Sequence, residues 1–252
     1  VTPARLEITA LEDFPLVEPE DDITQLLIDR APNGGYRDGD ILIIAQKIIS
    51  KAESRFADLK SVSPSKEAET LAAETEKDPR LVELILSEST KIARHRPGVI
   101  IAVHRLGFVL ANAGIDASNV GRDDDHVLLL PVNPDQTCRD IRKRIHAETG
   151  AQVATIINDS LGRAWRHGTM GIALGAAGLP ALLDLRQKPD LHGRTLQVSI
   201  VGLADELAAA GSLVQGQGAE GRPVALVRGF NPFDQDFPAS DLVRPAGEDL
   251  FR

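Results

Sequence analysis

The run DILIIAQ at residues 40–46 is the feature that most restricts this chain, because it is continuously apolar and β-branched at Ile41, Ile43 and Ile44. Such a run predicts a strand covered on both faces, and therefore a sheet inside a layered fold. VATIIND at 153–159 predicts another strand, as do the alternating segments at 4–10, 195–201 and 223–229 and the apolar VLLLPV at 127–132. VIIAV (99–103) and GFVLA (107–111) flank His104-Arg105-Leu106 as a hairpin. Helices are expected where apolar spacing follows a cap. Asp21 or Asp22 opens the first, ahead of Ile23, Leu26, Leu27 and Ala31. Ser63 and Pro64 open one that runs to Glu76, and another runs from Pro79 to Arg94 with Leu81, Leu84, Ile85 and Ile92 on one face. Thr137 and Asp140 suggest a capping box for a helix that Gly150 ends, and 203–213 reads as an Ala-rich helix. The stretch 168–178 is too Gly-rich to assign, and the tail from Phe230 reads as surface loop. The mixture is α+β without clean βαβ alternation, so mixed sheets with helices packed on one side are expected. No repeat or linker marks a boundary, so residues 1–252 read as one domain, with two interleaved lobes left open.

Composition narrows function more than fold. A formal charge of −9 and 4% aromatics argue against a polyanion-binding surface built on stacking, so no nucleic-acid partner is expected. The single Cys138 excludes an intrachain disulfide and suits a reducing compartment. No run reaches the ~18 apolar residues of a membrane span, and the first residues lack a basic-then-apolar leader pattern, so a cytoplasmic protein is the expectation.

Three segments attach polar constellations to apolar elements. In NAGIDASN (112–119), one turn after Gly114 aims Asp116 and Asn119 together; an oxygen ligand for a hard cation and a plain Asx-turn with a helix cap are both open. In NDSLGRAWRHG (158–168), Asp159 and Ser160 leave a strand beside Arg163, Arg166 and His167. That suits a metal–phosphate site, and equally a loop salt-bridge cluster with Trp165 as local anchor. In GSLVQGQGAEG (211–221), four glycines let backbone N–H groups approach an anion around Gln217, or serve only as a connector. HExxH, GxSxG, GxGxxG opening a helix, and the Walker A pattern are all missing. The histidines are dispersed, with His104 and His126 reading as structural or solvated. The basic run Arg139, Arg142, Lys143 and Arg144 reads as a solvated helix face opposite Ile141 and Ile145.

Taken in order, ISKAESR (49–55), NAGIDASN, NDSLGRAWRHG, DLHGR (190–194), ADELAAA (204–210) and GQGAEGRP (216–223) resemble the coenzyme F420-0:γ-glutamyl ligase family from about Phe14 to Gly229. The resemblance implies GTP-dependent amide formation. The carboxylate of the phospholactyl deazaflavin coenzyme F420-0 is phosphorylated, L-glutamate displaces phosphate, and further γ-linked glutamates follow. It implies two Mg²⁺ or Mn²⁺ sites held by Asp116, Asp159, Ser160 (where the family usually has Thr) and Gln217, with K⁺ as a further ion. It implies catalytic roles for Asp116, Asp159, Arg163 and Arg166. Nucleotide contacts would come from Phe14, Pro15, Leu16 and Val17, from Lys51 and Asn119, and from the loop Gln215, Gly216, Gly218, Ala219, Glu220, Gly221 and Arg222. Gln46 and Lys47 stand where relatives carry small hydroxyl residues near the nucleotide, and Ser54 replaces a common Gly. A homodimer is implied as well, and a chain of this length has no room for the nitroreductase-like domain that follows some family members. The alternatives are a related amino-acid ligase acting on a different carboxylate, and a non-catalytic nucleotide- or deazaflavin-binding protein.

Overall fold

The computed structural model describes residues 3–118, 120 and 124–249. Its strands and helices, in chain order, are β1 (Glu7–Ala10), α1 (Ile23–Asp29), β2 (Ile41–Ala45), α2 (Gln46–Ala52), β3 (Phe56–Asp58), α3 (Lys66–Thr75), α4 (Pro79–Ser87), β4 (Ser89–Arg96), β5 (Val99–His104), β6 (Val109–Ala111), β7 (His126–Leu128), α5 (Pro134–Thr149), β8 (Ala154–Arg163), β9 (Arg166–Ala177), β10 (Leu183–Asp184), β11 (Ile200–Val201), α6 (Leu203–Gln215) and β12 (Val224–Arg228). The fold is α+β, as the sequence implies. A five-stranded mixed sheet in the order β1-β12-β2-β8-β9 forms the body, parallel only between β2 and β8. A three-stranded sheet β4-β5-β6 and two small pairs, β3-β7 and β10-β11, complete it.

The apolar run of β2 is buried on both faces, as its composition demands. Leu42 and Ile44 face a core shared with α1, α2 and α5, while Ile41 and Ile43 face a second core shared with α6. Helices therefore cover both sides of the central sheet, which corrects the one-sided packing expected above; the Ala-rich α6 is thin enough to lie flat on the second face. Each fully buried Ile or Leu contributes about 1.5–3 kcal/mol relative to exposure. Two glycines of β9 let helices approach on opposite sides. A Cβ on Gly171 would sit 2.4 Å from the Ala208 carbonyl oxygen of α6, and one on Gly175 2.4 Å from the Pro134 carbonyl carbon of α5. A third core, built from α3, α4, β5 and the turn at Ala113, lies in the chain between β2 and β8.

Several boundaries differ from expectation for physical reasons. Asp22 caps α1 through Gln25 N, and Gly150 ends α5 at φ +78°, both as expected. The cap of α3 is Ser65, not Ser63, because its hydroxyl reaches Ala68 N. The capping box at Thr137 and Asp140 does not form: Asn133 caps α5 one turn earlier with Pro134 at its first position, and Thr137 lies inside the helix. The helix from Pro79 stops at Ser87, and 89–96 is a strand on the edge of the small sheet, with Ile92 packed against the third core. VLLLPV is strand only to Leu128, and the 195–201 strand shrinks to Ile200–Val201. The largest correction concerns NDSLGRAWRHG. It is not a loop leaving a strand but the continuation of β8 to Arg163, a two-residue turn at Ala164-Trp165, and the start of β9.

Candidate active site

The parallel pairing of β2 with β8 puts Ala45 beside Asn158, so both chains leave the core side by side. Beyond Ala45 the backbone turns directly into α2, which begins with Gln46 and Lys47. Beyond Asn158 the strand continues with Asp159 and Ser160. A third segment arrives across β7, where Asp116 exchanges backbone hydrogen bonds with Leu128. Asn112, Ala113 and Gly114 before it all hold left-handed backbone, at φ +51°, +54° and +69°, and a Cβ on Gly114 would collide with Leu110 and Leu130 at 2.8 Å. This compressed turn delivers the Asp116 carboxylate to the ends of the two parallel strands.

There Gln46 Nε2 donates to Asp116 Oδ2 at 2.9 Å, and Lys47 Nζ lies 3.4 Å from the same oxygen and donates to the Ser118 carbonyl at 3.2 Å. Gln46 is fully buried and its own oxygen accepts from Ser50 Oγ at 2.8 Å, which fixes the amide so that its N–H₂ end faces the carboxylate. Burial raises the Asp116 carboxyl above the ordinary carboxylate value even though Lys47 and Gln46 pull it down. Asp159 is pushed up to about 6, first by burial and then by the negative charge of Asp116, against the pull of the Ser160 N–H and Lys47. The two carboxylates thus repel one another across a shared space. Ser160 Oγ donates to Gln217 Oε1 at 2.7 Å, which ties the loop after α6 to β8. Asp116 and Asp159 thus face each other on one side of β8, while Ser160 and Gln217 pair on the other side, next to α6. Among the described residues no group of three or more His, Cys, Asp and Glu side chains is placed to hold a metal ion.

The cationic side is α2. Lys47 and Lys51 are one turn apart, and Lys51 falls below the ordinary lysine value through burial and the charge of Lys47, partly offset by Glu18. The segment Phe14–Val17 shares the apolar core with Ile48 and Ile49 of this helix, and just beyond it Glu20 N bonds the Ala52 carbonyl at 3.1 Å. Within it Phe14 and Val17 pack into the core, Pro15 is half-buried, and Leu16 is 88% exposed. Ser54 takes the left-handed conformation, φ +54°, that a Gly adopts without strain.

The loop 216–222 splits into two kinds of residue. Gln215 is buried, with Nε2 donating to the carbonyls of Ile43 and Pro223 and Oε1 accepting from Asn158 Nδ2 at 2.8 Å, so its side chain ties α6 and the loop to β2, β8 and β12. Gly216, Gln217, Gly218, Ala219, Glu220, Gly221 and Arg222 are on the surface. Here Glu220 folds back so that its carboxylate accepts from the Gly218 N–H at 2.8 Å, and backbone donors hold this carboxyl below its ordinary value. The loop is therefore a cradle of N–H groups that already holds an anionic oxygen.

Arg163 and Arg166 pair across the hairpin turn, beyond the carboxylates rather than among them. The alternative of a salt-bridge cluster anchored by Trp165 is not what forms. Among the described residues no carboxylate lies within ion-pair reach of either arginine, and Trp165 is 89% exposed. Asn119 lies outside the described residues. His104 is fully buried, and α5 turns Ile141 and Ile145 inward as expected. The positioning roles of Gln46, Asn158 and Gln215 were not foreseen; the signal was a buried polar residue at the end of an apolar element, which must find partners.

The F420-0:Gamma-glutamyl ligase family model matches residues 13–229. Among curated relatives, the chain is 43% identical to the coenzyme F420:L-glutamate ligase of Methanothermobacter thermautotrophicus, covering 98% of this chain and 99% of that one. It is 42% identical to the enzyme of that name from Methanopyrus kandleri, over 96% of this chain and 97% of the other, and 44% identical to that of Methanocaldococcus jannaschii, over 85% of each. A match of this length and identity means that the chain belongs to the F420-0:γ-glutamyl ligase family.

Proposed function

We propose that this protein is an acid–amino-acid ligase that adds L-glutamate to coenzyme F420-0 at the expense of GTP, and then adds further γ-linked glutamates. A carboxylate oxygen of the acceptor attacks the γ-phosphorus of GTP; the bond from that phosphorus to the bridging oxygen breaks, giving an acyl phosphate and GDP. The glutamate ammonium gives up one proton, its nitrogen attacks the acyl carbon, and a second N–H proton is lost as the C–O bond to phosphate breaks and phosphate leaves. Every participant in the first step is anionic, so the protein's task is positioning and charge neutralisation.

The observation that carries this reading is the meeting of two mutually repelling carboxylates, Asp116 and Asp159, beside Lys47 at the end of the parallel strands, with the Ser160–Gln217 pair across β8 from them. An all-oxygen donor set whose carboxylates are raised by burial and by each other suits hard divalent cations. Asp116, Asp159, Ser160 and Gln217 would hold Mg²⁺ or Mn²⁺ at two sites, with K⁺ as an auxiliary ion. When bound, the metal offsets the charge of phosphate oxygens. Gln46 holds Asp116 in place, and the Ser160 N–H holds Asp159 at 2.8 Å. Lys47 and Lys51 bind polyphosphate oxygens, the N–H cradle of 216–222 binds a further anionic oxygen in place of Glu220, and Leu16 and its neighbours border the nucleotide. Arg163 and Arg166 hold anionic groups of the acceptor. Asn119 is proposed as a nucleotide contact on family grounds, and a homodimer working on small-molecule substrates in the cytoplasm completes the reading. Among the described residues no helix is long and apolar enough to cross a membrane.

The test is GDP release by the purified protein with GTP, Mn²⁺, L-glutamate and F420-0, with mass spectrometry of the deazaflavin product. Acceptor-dependent turnover and a mass gain of one or more glutamyl units are expected. Turnover only with another carboxylic acid would reassign the acceptor, and binding without turnover would remove the ligase reading.

A further inference from the structure

The chain has one tryptophan, and the fold spends it on solvent. Trp165 occupies the second residue of the two-residue turn between β8 and β9, at φ +66°, a conformation in which glycine or asparagine is the unstrained choice. The ribbon around it stands clear of the body: a Cβ added at Gly162 or Gly168 would meet nothing within 4 Å. In a chain of net charge −9, the stretch 162–168 holds two arginines, one histidine and no acid. The one side-chain bond recorded there is a long one, from Arg163 Nη1 to the Gly168 carbonyl at 3.4 Å. A large aromatic plane is thus held out in water at a sterically unfavourable position, in a turn whose flanking residues Arg163 and Arg166 pair across the hairpin. Folding gains nothing from that arrangement, since an exposed indole buries no area. A ligand that is both planar and anionic does gain from it.

The same ribbon carries Asp159. From Asp159 to Arg163 the strand rises ~13 Å at ~3.3 Å per residue, with Trp165 just beyond. A molecule whose carboxylate reacts near Asp159 and whose aromatic system is joined to it through a phosphate-bearing chain matches this order of features along the hairpin. We propose that Trp165 is the stacking platform for the deazaflavin ring of the acceptor, with Arg163 and Arg166 taking the phosphate of the connecting chain. The proposal rests on the ligase reading above. The nucleotide is not the occupant, because its candidate contacts, Lys47, Lys51 and the 216–222 loop, belong to α2 and the segment after α6. Trp165 is here a binding and specificity residue; it takes no part in bond making.

The experiment compares wild type with Trp165→Ala and Trp165→Phe, measuring KM for F420-0, GTP and L-glutamate separately, and inhibition by a deazaflavin ring lacking both phosphate and carboxylate. Removing one stacking partner is expected to raise the KM for F420-0 about ten-fold or more, with kcat at saturating acceptor retained and the other two KM values unchanged. Phe is expected to restore most of the loss, and the bare ring to inhibit wild type more strongly than the Ala variant. Because the tryptophan is unique, its fluorescence should also fall when the bare ring is added. Unchanged KM for F420-0 in the Ala variant of an active enzyme would overturn the proposal while leaving the ligase reading intact. A wild type without acceptor-dependent GDP release would instead bring down the ligase reading itself. A rise in the GTP KM alone would assign the indole to the nucleotide base. Loss of a dimer with unchanged KM for F420-0 would assign it to a contact between copies; either result sinks the proposal.

Discussion

Replacing Glu88 by Gln should destabilise the protein by about 3 kcal/mol at neutral pH and hardly at all in strong acid. Glu88 follows α4, and its Oε2 lies 2.9 Å from Arg55 Nη2, 3.1 Å from Arg105 Nε and 3.3 Å from His104 Nε2. The Leu106 N–H donates to His104 Nδ1 at 3.1 Å, so the ring proton sits on Nε2 and faces the carboxylate, although the contact is too oblique for a well-formed hydrogen bond. Burial alone would raise the Glu88 carboxyl; His104, Arg55 and Arg105 outweigh it and hold it at about 2, against an ordinary 4.5. At ~1.4 kcal/mol per unit, that difference corresponds to ~3 kcal/mol of folding free energy. The folded-state value is depressed, so the contribution is complete above the unfolded value of 4.5 and disappears as pH falls through about 2. The cluster also touches function. Arg55 donates to the Leu130 carbonyl at 2.9 Å, and its own carbonyl accepts from Leu129 N at 3.0 Å, clamping the strand end whose Leu128 pairs with Asp116. Thermal melting of wild type and Glu88→Gln across pH 2–7 is the assay. The gap in Tm should be roughly 6–12 °C at neutral pH and close toward the acid end. A gap independent of pH would mean that charge is not what Glu88 contributes.

Asp159→Asn should lower turnover by more than the ~10–100-fold typical of residues that only support a metal ligand, with an unchanged circular dichroism spectrum; near-native GDP release would take Asp159 out of the site. Gly175→Ala should cost about 1–3 kcal/mol, because the new methyl would meet the Pro134 backbone rather than a yielding side chain; chemical denaturation at wild-type stability would show that α5 is free to shift. Light scattering should give twice the mass of the 27.1 kDa chain, and a monomer at working concentration would refute the dimer.

What the sequence disclosed depended on how local each signal was. The doubly buried β2, the cap at Asp22, the hairpin around His104 and the stop at Gly150 each follow from a few adjacent residues, and each is present. The strand β4 was hidden because Ile92 continues the apolar spacing of the helix before it, and because an exposed edge strand shows no alternation of buried and open positions. The β8–β9 hairpin was hidden because Ala164-Trp165 carries no Gly, Asn, Asp or Pro to announce a turn. At the site, Asp116, Asp159 and Gln217 stood out as polar residues beside apolar elements. The meeting of Asp159 with Asp116 and its support Gln46 depends on the parallel register of β2 with β8, across more than a hundred residues, and no local pattern encodes that. The motif resemblance supplied what periodicity lacked there, while the support from Gln46 and Gln215 emerged only from the packed structure.

Alternation along β8 gives its consecutive residues to opposite sides of the ribbon. Asn158 and Ser160 turn toward α6 and its following loop, whereas Asp159 turns toward Asp116 and Lys47. One strand therefore acts as a septum, with an acidic chamber on one flank and a hydroxyl–amide chamber on the other. Shifting the chain by a single position would exchange the contents of the two chambers, so the spacing between Asn158 and Ser160 is as much a part of the chemistry as the side chains themselves.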